Sequence, residues 1–298
     1  MSLIRQSRPA LATVAALAGI VGVQRTVQAA LGSRGHTAVA QSPEFLAWSA
    51  FVSVSVVIYI HVFVRTVRVV RPPSRAVLAV SIIAYLLVGG VVLKLLTGHG
   101  PAGTLDTVPL VMRPLYAVAE VAAAPAVIGL WLVHARLRQV DHLLEQWPER
   151  SDPVLTELLR SRTDLRRCLA GLSLIASTAL INTAALRKAH LAYGLRPEQF
   201  PSALVLLYGA AVTAIVALIY VPAFLAWRER ATNLISTVYP VPADARPSEE
   251  WTSGRARLSD LVGVDATVAK TLGAAFGILA PLATSLLSVY IPELKPGP

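Results

Sequence analysis

PSALVLLYGAAVTAIVALIYVPAFLAW, residues 201–227, contains no charged side chain. A helix of this length outreaches the ~30 Å of hydrocarbon in a bilayer. It has no polar face, so a helix here must be buried on every side or sit in lipid. Three further stretches repeat the pattern: Leu46–Val64, Ala76–Leu96 and Leu115–Val133. Each is close to the ~20 residues that a crossing needs. Pro9–Val23, about Cys168–Leu186 and about Thr267–Ile291 complete the set. The expected fold is all-α: a polytopic transmembrane helix bundle of seven spans, one integral membrane domain over residues 1–298.

Composition agrees. The 298 residues are 55% hydrophobic and only 15% charged, with a mean hydropathy of +0.60. Soluble domains have roughly a quarter of their residues charged. The net charge of +10 comes from arginines that flank apolar runs, where they face anionic headgroups. No basic segment is long enough to form a separate nucleic-acid-binding domain, so the expected partners are membrane lipids. Cys168 is the single cysteine, which rules out an internal disulfide. Arginine in excess of lysine, with abundant alanine, suggests a high-GC bacterial genome.

The first stretch has two readings. It is a membrane helix whose end snorkels through Arg25, or a signal peptide cleaved near Val27-Gln28-Ala29, which would leave six spans. The helix is favoured because the apolar pattern continues over Val27–Leu31. Pro72-Pro73 ends the second span by removing backbone donors, and a very short turn makes spans two and three an antiparallel hairpin. The fourth span continues in helical spacing through Leu137, Val140, Leu143 and Leu144. Asp152-Pro153 reads as an N-cap with proline at the first helical position. Leu155, Leu158, Leu159, Leu165 and Leu172 then lead into span five. Residues 136–167 are therefore expected to form a helical hairpin that projects from the membrane and offers a surface to a protein partner. Its charged residues, among them Arg136, Asp141, Glu145, Glu157 and Arg160, are expected to be solvated. Residues 228–266, rich in proline and polar side chains, read as a loop with at most short helices, one of them capped at Ser259-Asp260.

Topology follows from the basic residues. With the N-terminus inside and seven spans, nineteen of the 27 Lys and Arg residues fall on the inner side. That excess marks the cytoplasmic face. The hairpin and the 228–266 loop are then cytoplasmic and the C-terminus external, in the cell membrane.

Ionisable residues inside apolar spans are costly and are functional candidates by default. Glu120 is the strongest. Pro125, five residues on, frees the carbonyl of Val121, and the alanines around Glu120 let neighbouring backbones come close. Lys94, Asn182 and Thr183 fall at similar depth. The four are expected to form a polar site in the outer half of the bundle; the bland alternative is that Glu120 is neutral or pairs with Lys94 and simply joins helices. A second cluster is basic. His61, Arg65 and Arg68 share one helix face, and His134 and Arg138 reach a similar level. Together they suit a phosphate or lipid headgroup, although ordinary flanking charge explains them as well. Gly273 and Gly277 form a GxxxG match, which suits bundle packing or a homo-oligomer.

No motif identifies a catalytic residue. HExxH, P-loop and GxSxG signatures are absent, His61 and His134 lack metal-pair spacing, and no cofactor is implied. Three functions remain. The first is non-enzymatic binding, transport or pore formation for a solute or ion at Glu120. The second is a membrane-anchored sensor or interaction protein acting through 136–167. The third is an intramembrane enzyme on a lipid or isoprenoid, with Glu120 as general acid.

Overall fold

The computed structural model of the chain describes residues 18–29, 41–98, 108–146, 151–194, 196–242, 246–264 and 278–287. Helix α1 covers 18–29. Then come α2 (Pro43–Thr66, continued by a 3-10 turn Val67–Val69), α3 (Arg75–Gly98), α4 (Val108–Gln146), α5 (Ser151–Ala192), α6 (Ser202–Val238) and α7 (Glu249–Val262). Helix α8 covers 278–287. Among the described residues there is no strand.

Five helices are long and apolar enough to cross a membrane: Pro43–Val69, Arg75–Val92, Met112–Val140, Asp152–Ala192 and Ser202–Val238. Helix α8 is apolar but shorter. Most of the expected first and seventh spans, with Lys270, Gly273 and Gly277, lies outside the described residues. Helix α3 gives the plainest reason to put this chain in lipid. Val80, Ile83, Leu86 and Leu87 are each more than half exposed on it. In water they would form a large unpartnered apolar patch; in hydrocarbon they cost nothing.

Local sequence sets the helix ends. The Ser42 side chain caps α2 by accepting from the Phe45 N–H at 3.4 Å, with Pro43 in the first turn. Pro114 and Pro125 lie inside α4 and Pro222 inside α6. Such prolines are tolerated in membrane helices because neighbours can re-satisfy the freed backbone groups.

Helices α4 and α5 form the centre, and α2, α3 and α6 pack around them. Helices α2 and α5 run antiparallel in a fixed register. Val69 and Cys168 both reach Gly129 of α4, and Val62 and Thr66 lie against Gly171. The Tyr59 hydroxyl faces Thr178. Asn182 Nδ2 donates to Ser55 Oγ at 2.6 Å. Small and hydroxylated residues carry this seam, as close approach of membrane helices requires. Their hydroxyls are already satisfied within the helix: Ser53 by Ser49 O, Ser55 by Phe51 O and Thr66 by Val62 O.

Two findings depart from the sequence reading. Arg136 is not solvated, and Glu157 is only partly so. Arg136 is buried and donates to Asp164 Oδ2 at 3.1 Å, and its Nη1 lies 3.5 Å from Glu157 Oε1. Asp164 is itself 2% exposed. The cause is that α6 runs on to Val238 and covers this face, with Trp227 Nε1 donating to Leu158 O and Arg230 Nε to Leu137 O. Asp141 and Glu145 have no described side chains.

The second departure is in the stretch read as a loop. It holds the rest of α6 and all of α7. The apolar positions Ala231, Leu234 and Ile235 keep α6 packed beyond Trp227. Ser248, not Ser259-Asp260, caps α7, accepting from Trp251 N–H at 3.1 Å. Gly263, at φ 79°, ends it in the left-handed conformation that glycine adopts without strain. Arg162 of α5 donates to Leu261 O at 3.3 Å, and Trp251 Nε1 to Pro240 O at 2.8 Å, fastening α7 at both ends.

Candidate functional site

The five long helices leave one large space between α3, α4, α5 and α6. It measures about 430 Å³, within the usual size of a small-molecule pocket. One periodic face of each helix lines it. Helix α4 gives Tyr116, Glu120, Ala123, Val127 and Trp131, at steps of three and four residues. Helix α5 gives Leu172, Ala176, Ala179 and Thr183 in the same rhythm. Helix α3 contributes Tyr85, Gly89 and Val92, and α6 contributes Tyr208, Val212 and Ile219. Small residues on α3, α4 and α5 make the room, and the aliphatic remainder keeps the walls apolar.

Glu120 is held from α3. The Tyr85 hydroxyl donates to the Glu120 backbone carbonyl at 2.5 Å. The Glu120 carboxyl lies directly over Gly89, where any Cβ would collide with it. Gly90, the next residue, has open space at the same test. Gly89 is thus the one position in this turn of α3 that must lack a side chain for Glu120 to sit where it does. Among the described residues no Lys, Arg or His lines the cavity.

The four residues expected to converge divide into two pairs. Glu120 and Thr183 line the cavity, and Thr183 faces the Tyr116 hydroxyl. Asn182 is fully buried but turns about a third of the way round the helix from Thr183, into the α2 seam. Its Oδ1 has no partner among the described residues. Lys94 is exposed and lies outside the lining.

In the basic cluster, His61, Arg65, Arg68 and Arg138 are exposed, and His134 is partly buried with an unpartnered Nδ1. Val69 lies against Gly129, and α2 and α4 run the same way. His61 precedes that level by eight residues and His134 follows it by five, an offset of about 20 Å at helical rise. The two histidines therefore sit at different depths. Among the described residues, no three His, Cys, Asp or Glu side chains cluster as metal ligands.

Tyr85, Tyr116, Tyr208 and Gly89 were not singled out from the sequence. The tyrosines carried a signal: each is a hydroxyl inside an otherwise apolar run. Comparison with protein-family models, with curated proteins and with solved structures gives no match.

Proposed function

We propose that this chain is a polytopic membrane protein that binds an apolar or amphipathic small molecule, without chemical change, in the cavity beside Glu120. One observation carries the reading: a mid-helix cavity of about 430 Å³ whose walls are apolar except for one carboxyl and a few hydroxyls. Such a lining suits a hydrocarbon body with a single polar end. It does not suit a hydrated ion, since no ring of carbonyls or charges replaces the water shell. Among the long helices α3 packs chiefly on α4, which supports entry from the bilayer between α3 and α6. The leading alternative is transport of the same molecule, for which the prolines of α4 and α6 are suited.

Under this reading the chain has seven spans, a cytoplasmic N-terminus and an external C-terminus, on the strength of the arginine bias. The Arg136 network and the docked α7 then lie on the cytoplasmic side. Their rigidity favours a second role for 136–167 as a surface for a protein partner. An enzyme on a lipid substrate is the weaker reading, because among the described residues the cavity holds one carboxyl and no second carboxyl, His or Lys.

The test is photolabelling in lipid nanodiscs with a neutral alkyl diazirine. Saturable labelling of peptides from 85–92 and 208–219, lost in Ala179→Phe, is the expected result. Labelling spread over all lipid-facing positions and unchanged by Ala179→Phe would overturn the proposal.

A further inference from the structure

The occupant of this cavity has a charge requirement, and the inference rests on the binding role proposed above. Among the described residues Glu120 is the single acid in the lining, and nothing basic lines the space with it. Among the described residues no cation is paired with its carboxyl, which lies close over Gly89 and beside Tyr85. Without a cation beside it a carboxyl in hydrocarbon rests as the neutral acid, because ionising it there is costly; Gly89 and Tyr85 place this one at the cavity wall, where a cationic ligand would supply the missing partner. The rings of Tyr85, Tyr116, Tyr208 and Trp131 stand around the same space. Aromatic faces attract cations and repel anions. Both features point the same way. A positive ligand removes the burden of the buried acid, whereas a carboxylate or phosphate ligand adds to it.

We infer that the cavity selects a hydrophobic cation, such as an alkylamine or a quaternary ammonium or phosphonium, with its charged centre at Glu120 and its hydrocarbon against α5 and α6. The apolar walls exclude a small hydrated ion as the occupant. With no basic side chain in the lining among the described residues, a fatty acid or a phospholipid phosphate is disfavoured. Lys94, the nearest basic candidate in the sequence reading, lies outside the lining.

The experiment measures binding of radiolabelled tetraphenylphosphonium to the full chain in nanodiscs, with empty nanodiscs subtracted. The anion tetraphenylborate and the neutral triphenylphosphine oxide serve as shape-matched competitors. The expected result is saturable binding of the cation that weakens at least about tenfold in Glu120→Gln and is kept within a few-fold in Glu120→Asp. The neutral competitor should bind the wild type and Glu120→Gln alike, and tetraphenylborate should not compete. If cation and neutral compound bind equally, and Glu120→Gln changes neither, the charge requirement is overturned while the cavity reading stands. If no probe binds saturably, or Ala179→Phe leaves all binding unchanged, the cavity reading itself fails.

Discussion

Arg136 of α4 and Asp164 of α5 meet at 3.1 Å with both side chains withdrawn from solvent, 10% and 4% exposed. Glu157 adds a second carboxylate at 3.5 Å, and Arg160 and Arg167 approach the same two acids at 4.0 Å from the exposed side. The pair ties the two central helices together where both continue towards their connection. Taking one partner away leaves the other buried and uncompensated. Arg136→Leu should therefore cost about 3–5 kcal/mol, and Asp164→Leu a similar amount. The double substitution should recover part of the loss, because Glu157 is still approached by Arg160 at 4.0 Å and Arg167 is exposed. Thermal unfolding of the detergent-solubilised protein, followed by circular dichroism, measures all three. Additive losses in the double variant would contradict the pairing.

Gly89 and Gly90 are adjacent in α3 but face different surroundings. Gly89→Ala places a methyl on the Glu120 carboxyl, whereas Gly90→Ala meets open space. The first should displace Glu120 and weaken cation binding about tenfold or more. The second should leave binding unchanged and stability level or slightly raised. Parallel tetraphenylphosphonium titrations of the two variants decide this. Equal behaviour would mean that Glu120 does not rest on α3.

Ser55 and Asn182 fix the α2–α5 seam. Ser55→Ala removes the hydroxyl that accepts from the fully buried Asn182 amide at 2.6 Å. Interhelical hydrogen bonds in membrane proteins average about 0.6 kcal/mol and reach about 1.7. The loss should fall in the upper part of that range, and Asn182→Ala added to it should cost little more through the hydrogen bond. A double-mutant cycle read by unfolding in mixed micelles gives the coupling. A coupling near zero would contradict the register.

Helix α7 depends on its left-handed terminus. Gly263→Ala forces a Cβ into φ 79° and against the Arg162 guanidinium. It should cost about 1 kcal/mol or more. The damage should be local: faster proteolysis between Val238 and Glu249, with the spans still protected. Uniform loss of protection across the chain would contradict a separately fastened helix.

These elements differ in how far the sequence disclosed them. Apolar length is a local property, so the five long apolar helices could be read directly. The leucine spacing around Leu137 and Leu158 likewise announced that α4 and α5 run beyond a single crossing. Which neighbour covers a face is not local. Nothing near Arg136 in the chain says that α6 will lie across it, so a buried ion pair looked like solvated charge. Asn182 and Thr183 show the same limit at finer scale. Adjacent residues on a helix diverge by about 100°, so equal depth did not mean a shared site. The tyrosines of the cavity meet only because four helix faces converge. Helix α7 was read only as a short helix with its cap in the wrong place, for a different reason. Its composition is polar and its flanks are rich in proline, yet Ser248 and Gly263 stood at its two ends as readable caps.

The most direct measurement is a high-resolution density map of the full chain in lipid nanodiscs, recorded with and without tetraphenylphosphonium. The account predicts an apolar cavity bounded by Tyr85, Glu120, Thr183 and Tyr208, open to lipid between α3 and α6, with added density centred at the Glu120 carboxyl when the cation is present. A continuous water-filled path from Glu120 to either aqueous face, or a Glu120 side chain turned away from this space, would contradict it.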